Sequence, residues 1–234
     1  MKIYSCFTPS HEILYRDYFL PALPQEFEPH VTPIDISGSG NFGTADFIRT
    51  LEVKLEMALE SIADNAGSAI VWSDVDIIFT RESVPLLHDL LKNRDTDIWF
   101  QKERPGDDKE INAGLILMRC NEAVEKLYRD ALVLMRSTPG YNDQHAINDI
   151  LSKRADISWS YLPYRFAARS HGWPPKQDFV AYHANCTIGN DGVGQKIRQF
   201  AKVRKLRRWG PLYWHYVRNR DKLRRSINNR LQGR

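Results

Sequence analysis

The sequence is poor in cysteine and has no long apolar run. Its three cysteines, Cys6, Cys120 and Cys186, are scattered and never approach a C-x-x-C pair. Such an odd, dispersed set provides neither a disulfide framework nor a zinc site, so a reducing compartment is expected. No stretch reaches the ~20 apolar residues a helix needs to cross a bilayer, and the apolar run after Lys2 is too short for a signal peptide. A cytoplasmic location is the expectation. Internal repeats, low-complexity segments and a G-x-x-x-x-G-K-[ST] loop are also missing, which argues against solenoids, linkers and the usual P-loop.

What remains is an ordinary globular composition, with 234 residues, 42% hydrophobic and 26% charged. That length is enough for a sizeable core. The net charge of +4 conceals a division: residues 196–234 hold 14 Lys/Arg against one acid, Asp221, while the rest holds 19 against 28 acids. The expected organisation is a body over residues 1–195 and a basic, aromatic-rich helical tail over 196–234. In the tail Trp209, Leu212, Tyr213, Trp214, Tyr216 and Val217 mingle with Arg218, Arg220, Lys222, Arg224 and Arg225. Aromatic-basic helices suit an anionic bilayer surface, which would put the protein peripherally at the inner face of the membrane. A solvated helix packed on the body is the alternative, and nucleic acid is the least favoured partner.

Short apolar runs alternate with segments of helical period, the pattern of an α/β domain. Strands are expected at residues 2–7, 27–36, 69–72, 77–79, 98–101, 113–118, 157–161 and 180–183. Helices are expected from Ser10, as cap, to about Leu20, and after Thr44, where Phe47, Leu51, Leu55, Ala58 and Ile62 recur at three- or four-residue steps. Others follow at 84–91, 121–137 and 143–153.

Chemistry concentrates at VWSDVDIIF, where an apolar strand delivers Asp74 and Asp76. In an extended chain both carboxylates point to one face, and two hard oxygen ligands suit Mg²⁺ or Mn²⁺. A solvated pair of turn acids is the plainer reading. Asp95-Thr96-Asp97 repeats the motif in a polar turn and reads as a surface linker. Gly38-Ser39-Gly40-Asn41-Phe42-Gly43 matches G-x-G-x-x-G, but the acid about 20 residues on, Asp64, falls near a helix end instead of a strand end, so a crossing loop is favoured over a dinucleotide site. A haloacid-dehalogenase-like phosphatase would need Thr or Val where Ile78 stands. A purely peripheral membrane or nucleic-acid module would make the acid pair incidental.

Four blocks in chain order, VWSDVDIIF, INAGLILMR, DQHAIN and a late His183 followed by Gly189, resemble those of nucleotide-diphospho-sugar transferases of the GT-A fold. Retaining glycogenin- and LgtC-like galactosyltransferases are the nearest in pattern, over about residues 2–196. The resemblance implies a Rossmann-like mixed sheet flanked by helices, a nucleotide-sugar donor with UDP favoured, and a carbohydrate or lipid-linked acceptor. By the same resemblance Asp74, Asp76 and His183 hold Mn²⁺ or Mg²⁺, although His183 also fits a hydrogen-bonded core histidine. Phe7, Thr8 and Pro9 resemble the turn that seats the base. Asn112, Ala113 and Gly114 correspond to the sugar-contacting block, or else to a loop-to-strand junction. Asp143 and Gln144 correspond to the pair beside the reacting carbon, with Asp143 equally suited to N-cap a helix. Lys54 and Lys196 reach the diphosphate or remain solvated. After His183 the family's H-x-x-G-x-x-K-P-W is replaced by HANCTIGNDGVGQK, which puts Lys196 in doubt, and His145 stands where an acid is common.

Overall fold

The computed structural model describes residues 1–36, 45–106, 110–189 and 191–231. The strands are β1 (Lys2–Phe7), β2 (Glu28–Pro33), β3 (Ala69–Ser73), β4 (Ile77–Phe79), β5 (Ile98–Lys102), β6 (Ile111–Arg119), β7 (Trp159–Tyr161), β8 (Phe166–Ala168) and β9 (Ala181–His183). Six of them form a mixed sheet in the order β2-β1-β3-β6-β5-β7. Only β6 runs against its neighbours; the other pairings are parallel. The short strands β4, β9 and β8 make a second sheet.

Alternation along the central strands sorts the core into two layers, because successive side chains leave opposite faces. Ile70, Trp72, Ile116 and Met118 face one way and pack with Leu55, Ala58 and Ile62 of helix α1 (Ala45–Asp64). Val71, Leu115 and Leu117 face the other way, toward Phe19, Phe79 and Tyr182. The remaining helices are α2 (Ser83–Leu90), α3 (Glu122–Ser137), α4 (Asp143–Leu151) and α5 (Gly192–Leu231). The amphipathic α3 buries Val124, Leu127, Tyr128 and Ala131 against the α1 layer.

Several boundaries differ from expectation. The first helical stretch is a 3₁₀ turn at Pro9–His11 followed by short α turns around π-helical Tyr15–Phe19. Thr8, not Ser10, precedes it, and no side chain caps it. Strand β8 was not anticipated, since three residues, FAA, carry no period. Thr44 and Gly38 to Gly43 lie outside the described residues. Helix α5 buries Phe200, Val203, Leu206 and Val217, so part of the basic tail packs on the body. The helix bends at Gly210, whose φ of 65° suits glycine, followed by Pro211, which supplies no N–H.

Candidate active site

Asp74, Val75 and Asp76 form the link between β3 of the large sheet and β4 of the small one. The link is a turn, not the extended run expected, yet both carboxylates converge. Backbone bonding explains why: the Asp74 amide donates to Gly114 O (2.7 Å), prolonging the β3–β6 pairing, and Asp76 O accepts from the Ala184 amide (3.0 Å) beside β9. His183 ends β9 opposite Ile77. One ligand atom from each of Asp74, Asp76 and His183 lies within 4.8 Å of the others.

Asp76 Oδ2 pairs with Lys196 Nζ at 2.8 Å, and Oδ1 stands 3.2 Å from His183 Nε2. That Oδ1 is buried and, among the described residues, has no hydrogen-bond partner. Burial raises the Asp76 carboxyl, but the charges of Lys196 and His183 outweigh it and hold the group well below the usual carboxylate range. The Asp74 carboxyl is raised by burial, which Lys54 offsets only in part and to which the Asp76 charge adds. Two carboxylates and an imidazole are a donor set that fits a hard divalent cation.

His183 is held from behind. Gln101 Nε2 donates to Phe166 O (3.0 Å) and Ala167 O (3.2 Å), which turns its Oε1 toward His183 Nδ1 at 2.7 Å. With the amide fixed this way Nδ1 donates to Gln101, and Nε2 faces the carboxylates, where it donates to Asp76 when the ring is charged and offers its lone pair to a cation when it is neutral. A register shift between Phe100 and Gln101 accompanies this turn of the side chain. Replacing Gln101 by Leu is expected to weaken Mn²⁺ binding by about 10–100-fold, as loss of a partner behind a ligand does. Calorimetric titration with Mn²⁺ checks it, and an unchanged affinity would show that Gln101 does not orient the ring.

Lys54 is buried and bridges the site. Its Nζ lies 2.9 Å from Asp74 Oδ1, 3.1 Å from Asp143 Oδ2 and 3.0 Å from Ala113 O. Burial pulls this ammonium down, but Asp143 and Asp74 more than reverse the effect and raise it above its ordinary value. The solvated reading of Lys54 is therefore corrected. So is the capping role of Asp143: Asn142 caps α4, its Oδ1 accepting from the His145 amide at 2.8 Å, while Asp143 is the first helical residue. Asn112 Oδ1 accepts from the Gly114 amide (2.9 Å), and Gln144 Oε1 accepts from the Ala113 amide (3.4 Å). A Cβ on Gly114 would collide with His183 Cε1 and come within 2.9 Å of Asp74 Oδ2. Only glycine fits there.

These groups line a cleft of about 320 Å³. A smaller cavity of about 150 Å³ adjoins it, sharing Lys54, Asp74, Asp76 and Lys196 and adding Phe7 and Thr8. Thr8 Oγ1 is 3.3 Å from His11 Nδ1, and burial, aided by the charge of Lys196, pulls the His11 imidazole down to about 4. Burial pushes the Cys6 thiol in the same wall up to about 12, so it is no nucleophile at neutral pH.

Residues 21–200 match the family profile described as nucleotide-diphospho-sugar transferase. The chain belongs to that family. No curated protein sequence matches it significantly. A glycosyltransferase involved in glycosylation of the major capsid of PBCV-1 superposes with a TM-score of 0.61 at 12% identity, covering 84% of this chain and 97% of that one. The galactosyltransferase LgtC, in complex with donor and acceptor sugar analogs, gives 0.52 at 15%, covering 86% and 94%. GlyE of Streptococcus pneumoniae gives 0.54 at 10%, covering 86% and 63%. At these identities the likeness is one of fold, and the mixed sheet flanked by helices is the GT-A architecture.

In this transferase, Phe7, Thr8, Lys54, Asp74, Asp76, Asn112, Ala113, Gly114, Asp143, Gln144, His183 and Lys196 all reach the two joined cavities. Pro9 does not line them; it opens the 3₁₀ turn. Asp95 and Asp97 take no part, Asp97 being occupied by Asn121 Nδ2 (2.7 Å) and the Ser158 amide (2.9 Å). Sequence reasoning missed Gln101, His11 and Glu103, whose Oε2 accepts from Asn112 Nδ2 at 2.5 Å. For Gln101 a signal existed: a polar residue closing the apolar run IWFQ.

Proposed function

We propose that this transferase moves a hexosyl unit from a nucleotide-diphosphate sugar, with UDP-sugars favoured, to a hydroxyl of a carbohydrate or lipid-linked acceptor. The observation that carries the reading is the convergence of Asp74, Asp76 and His183 on the cleft, one ligand atom from each lying within 4.8 Å of the others. Asp74, Asp76 and His183 hold Mn²⁺ or Mg²⁺. When bound, such an ion neutralises charge growing on the departing diphosphate, an effect of several kcal/mol.

The other roles follow from position. Phe7 and Thr8 seat the base, with Pro9 setting the turn, and the small cavity favours a pyrimidine. Lys196, whose ion pair among the described residues is with Asp76 alone, turns to a phosphate oxygen. Lys54 has three partners already, so it serves chiefly to hold Asp74 and Asp143 side by side, with any diphosphate contact secondary. Asn112, Ala113 and Gly114 bound the sugar, while Asp143 and Gln144 flank the reacting carbon. Resemblance favours retention, which the anomeric configuration of the product decides.

On α5, Trp209, Leu212, Tyr216 and Leu223 are exposed large apolar side chains set among exposed Arg218, Arg220 and Lys222. That mixture supports a peripheral contact with anionic lipid. Failure to sediment with anionic vesicles at physiological salt would remove it. No described helix is long and apolar enough to cross a membrane.

Thermal unfolding against UDP, GDP, CDP and ADP compounds and their sugars, with and without Mn²⁺, tests the main reading. A ligand at a hundred times its Kd adds about 2.7 kcal/mol, and each kcal/mol moves the midpoint by about 2–4 °C at this size. A metal-dependent shift confined to one base is expected. No shift with any nucleotide at saturation would overturn the proposal.

A further inference from the structure

A third cavity, of about 320 Å³, lies between α5 and the segment carrying Arg169 and Trp173. Arg169, Arg198 and Lys202 line it together with Trp173, Tyr182 and Gln199, and no acidic residue belongs to the lining. One ion pair among the described residues reaches these cations, Arg198 Nη2 to Asp191 Oδ2 at 2.7 Å, leaving the other donors of that guanidinium. Gln199 is buried; its Oε1 accepts from the Tyr182 hydroxyl at 3.2 Å, while its Nε2 has no partner among the described residues. Three cations and no carboxylate along one concave wall set up a local positive potential, and guanidinium forks match phosphate or carboxylate oxygens.

The cavity is tied to the active cleft. Arg169 Nη1 donates to Cys186 O at 2.5 Å, and Cys186 lines the cleft that holds Asp74, Asp76 and His183. Tyr182, in the wall of this cavity, directly precedes His183 and leaves the opposite face of β9. A molecule anchored by an anion at Arg198 and Lys202 therefore lies across the Arg169–Cys186 contact from the cleft.

We propose that this cavity binds an anionic group, a phosphate or carboxylate, on the acceptor, whose hydroxyl then enters the cleft. The inference rests on the transfer reading for the word acceptor, but not for the anion site itself. Arg198 and Lys202 are exposed positions on α5 outside the donor site, so Arg198→Gln with Lys202→Gln leaves the fold and the donor cleft in place.

Calorimetric titration of the metal-free protein with glycerol 3-phosphate, and sedimentation with vesicles containing phosphatidic acid, would compare the wild-type chain with this double variant. The variant is expected to bind either phosphate source about tenfold or more weakly, while its nucleotide-dependent thermal shift is unchanged. Loss for the soluble phosphate assigns the site to a free phosphate-bearing acceptor; loss only for vesicles assigns it to a lipid headgroup. Equal affinity in the two proteins, or no binding of either probe by the wild-type chain, overturns the proposal. Should the nucleotide shift be missing in both proteins while phosphate binding still depends on the two cations, the donor reading fails and the anion site stands.

Discussion

A chain carrying Asp74→Asn and Asp76→Asn together should lose about 10³-fold or more in kcat/KM, equivalent to about 4 kcal/mol of transition-state stabilisation. Asparagine keeps the shape of the turn and its backbone bonds to Gly114 and Ala184, so the loss belongs to charge and ligation, not to collapse of the link. Two controls frame the result. Far-UV circular dichroism should be unchanged, and titration with Mn²⁺ should show binding abolished. Robust transfer by the double variant, with the same metal requirement as the parent, would show that these carboxylates do not hold the ion.

The largest effect on stability is expected from Lys54→Met. Removing the ammonium leaves Asp143 buried, Asp74 nearby and the Ala113 carbonyl without its donor. Breaking a buried charged arrangement by deleting one partner costs about 3–5 kcal/mol. For a domain of this size that is a fall in Tm of about 6–20 °C. The Asp74 side chain is 36% exposed and regains some water, which favours the lower half of the range. Added Mn²⁺ should restore part of the loss, since it supplies positive charge to the same carboxylate. A variant melting with the parent would mean that Lys54 is not their counter-ion in solution.

The α/β class was legible because apolar runs and helical periods are local patterns. Val71 and Trp72, adjacent in sequence, face opposite cores as period two requires. The acid pair was legible because an apolar strand ended on it. What sequence could not display was pairing between distant segments. That β4 and β9 leave the main sheet and build their own depends on contacts about a hundred residues apart, and β8 joins them with too few residues to show a period. The bond from Gln101 to His183 spans 82 positions. Lys54 was a candidate for the diphosphate or for plain solvation; only the fold shows that it pairs with two acids. Asp143 was the expected cap, one position beyond Asn142, which fills that place, and helix ends are the least determined feature of any pattern reading.

The turn from Asp74 to Asp76 also has a mechanical meaning. One end is stitched to the large sheet through Gly114, the other to the small sheet through Ala184, and His183 belongs to the small sheet alone. A cation gripped by all three would act as a rivet through two plates. Shearing one sheet against the other by even an ångström would pull its ligands apart, and driving the rivet home would lock the plates in register. Loading the site is therefore expected to quieten the whole junction, so that slower amide exchange along β4 and β9 on adding metal would register the closing of a seam as well as the filling of a pocket.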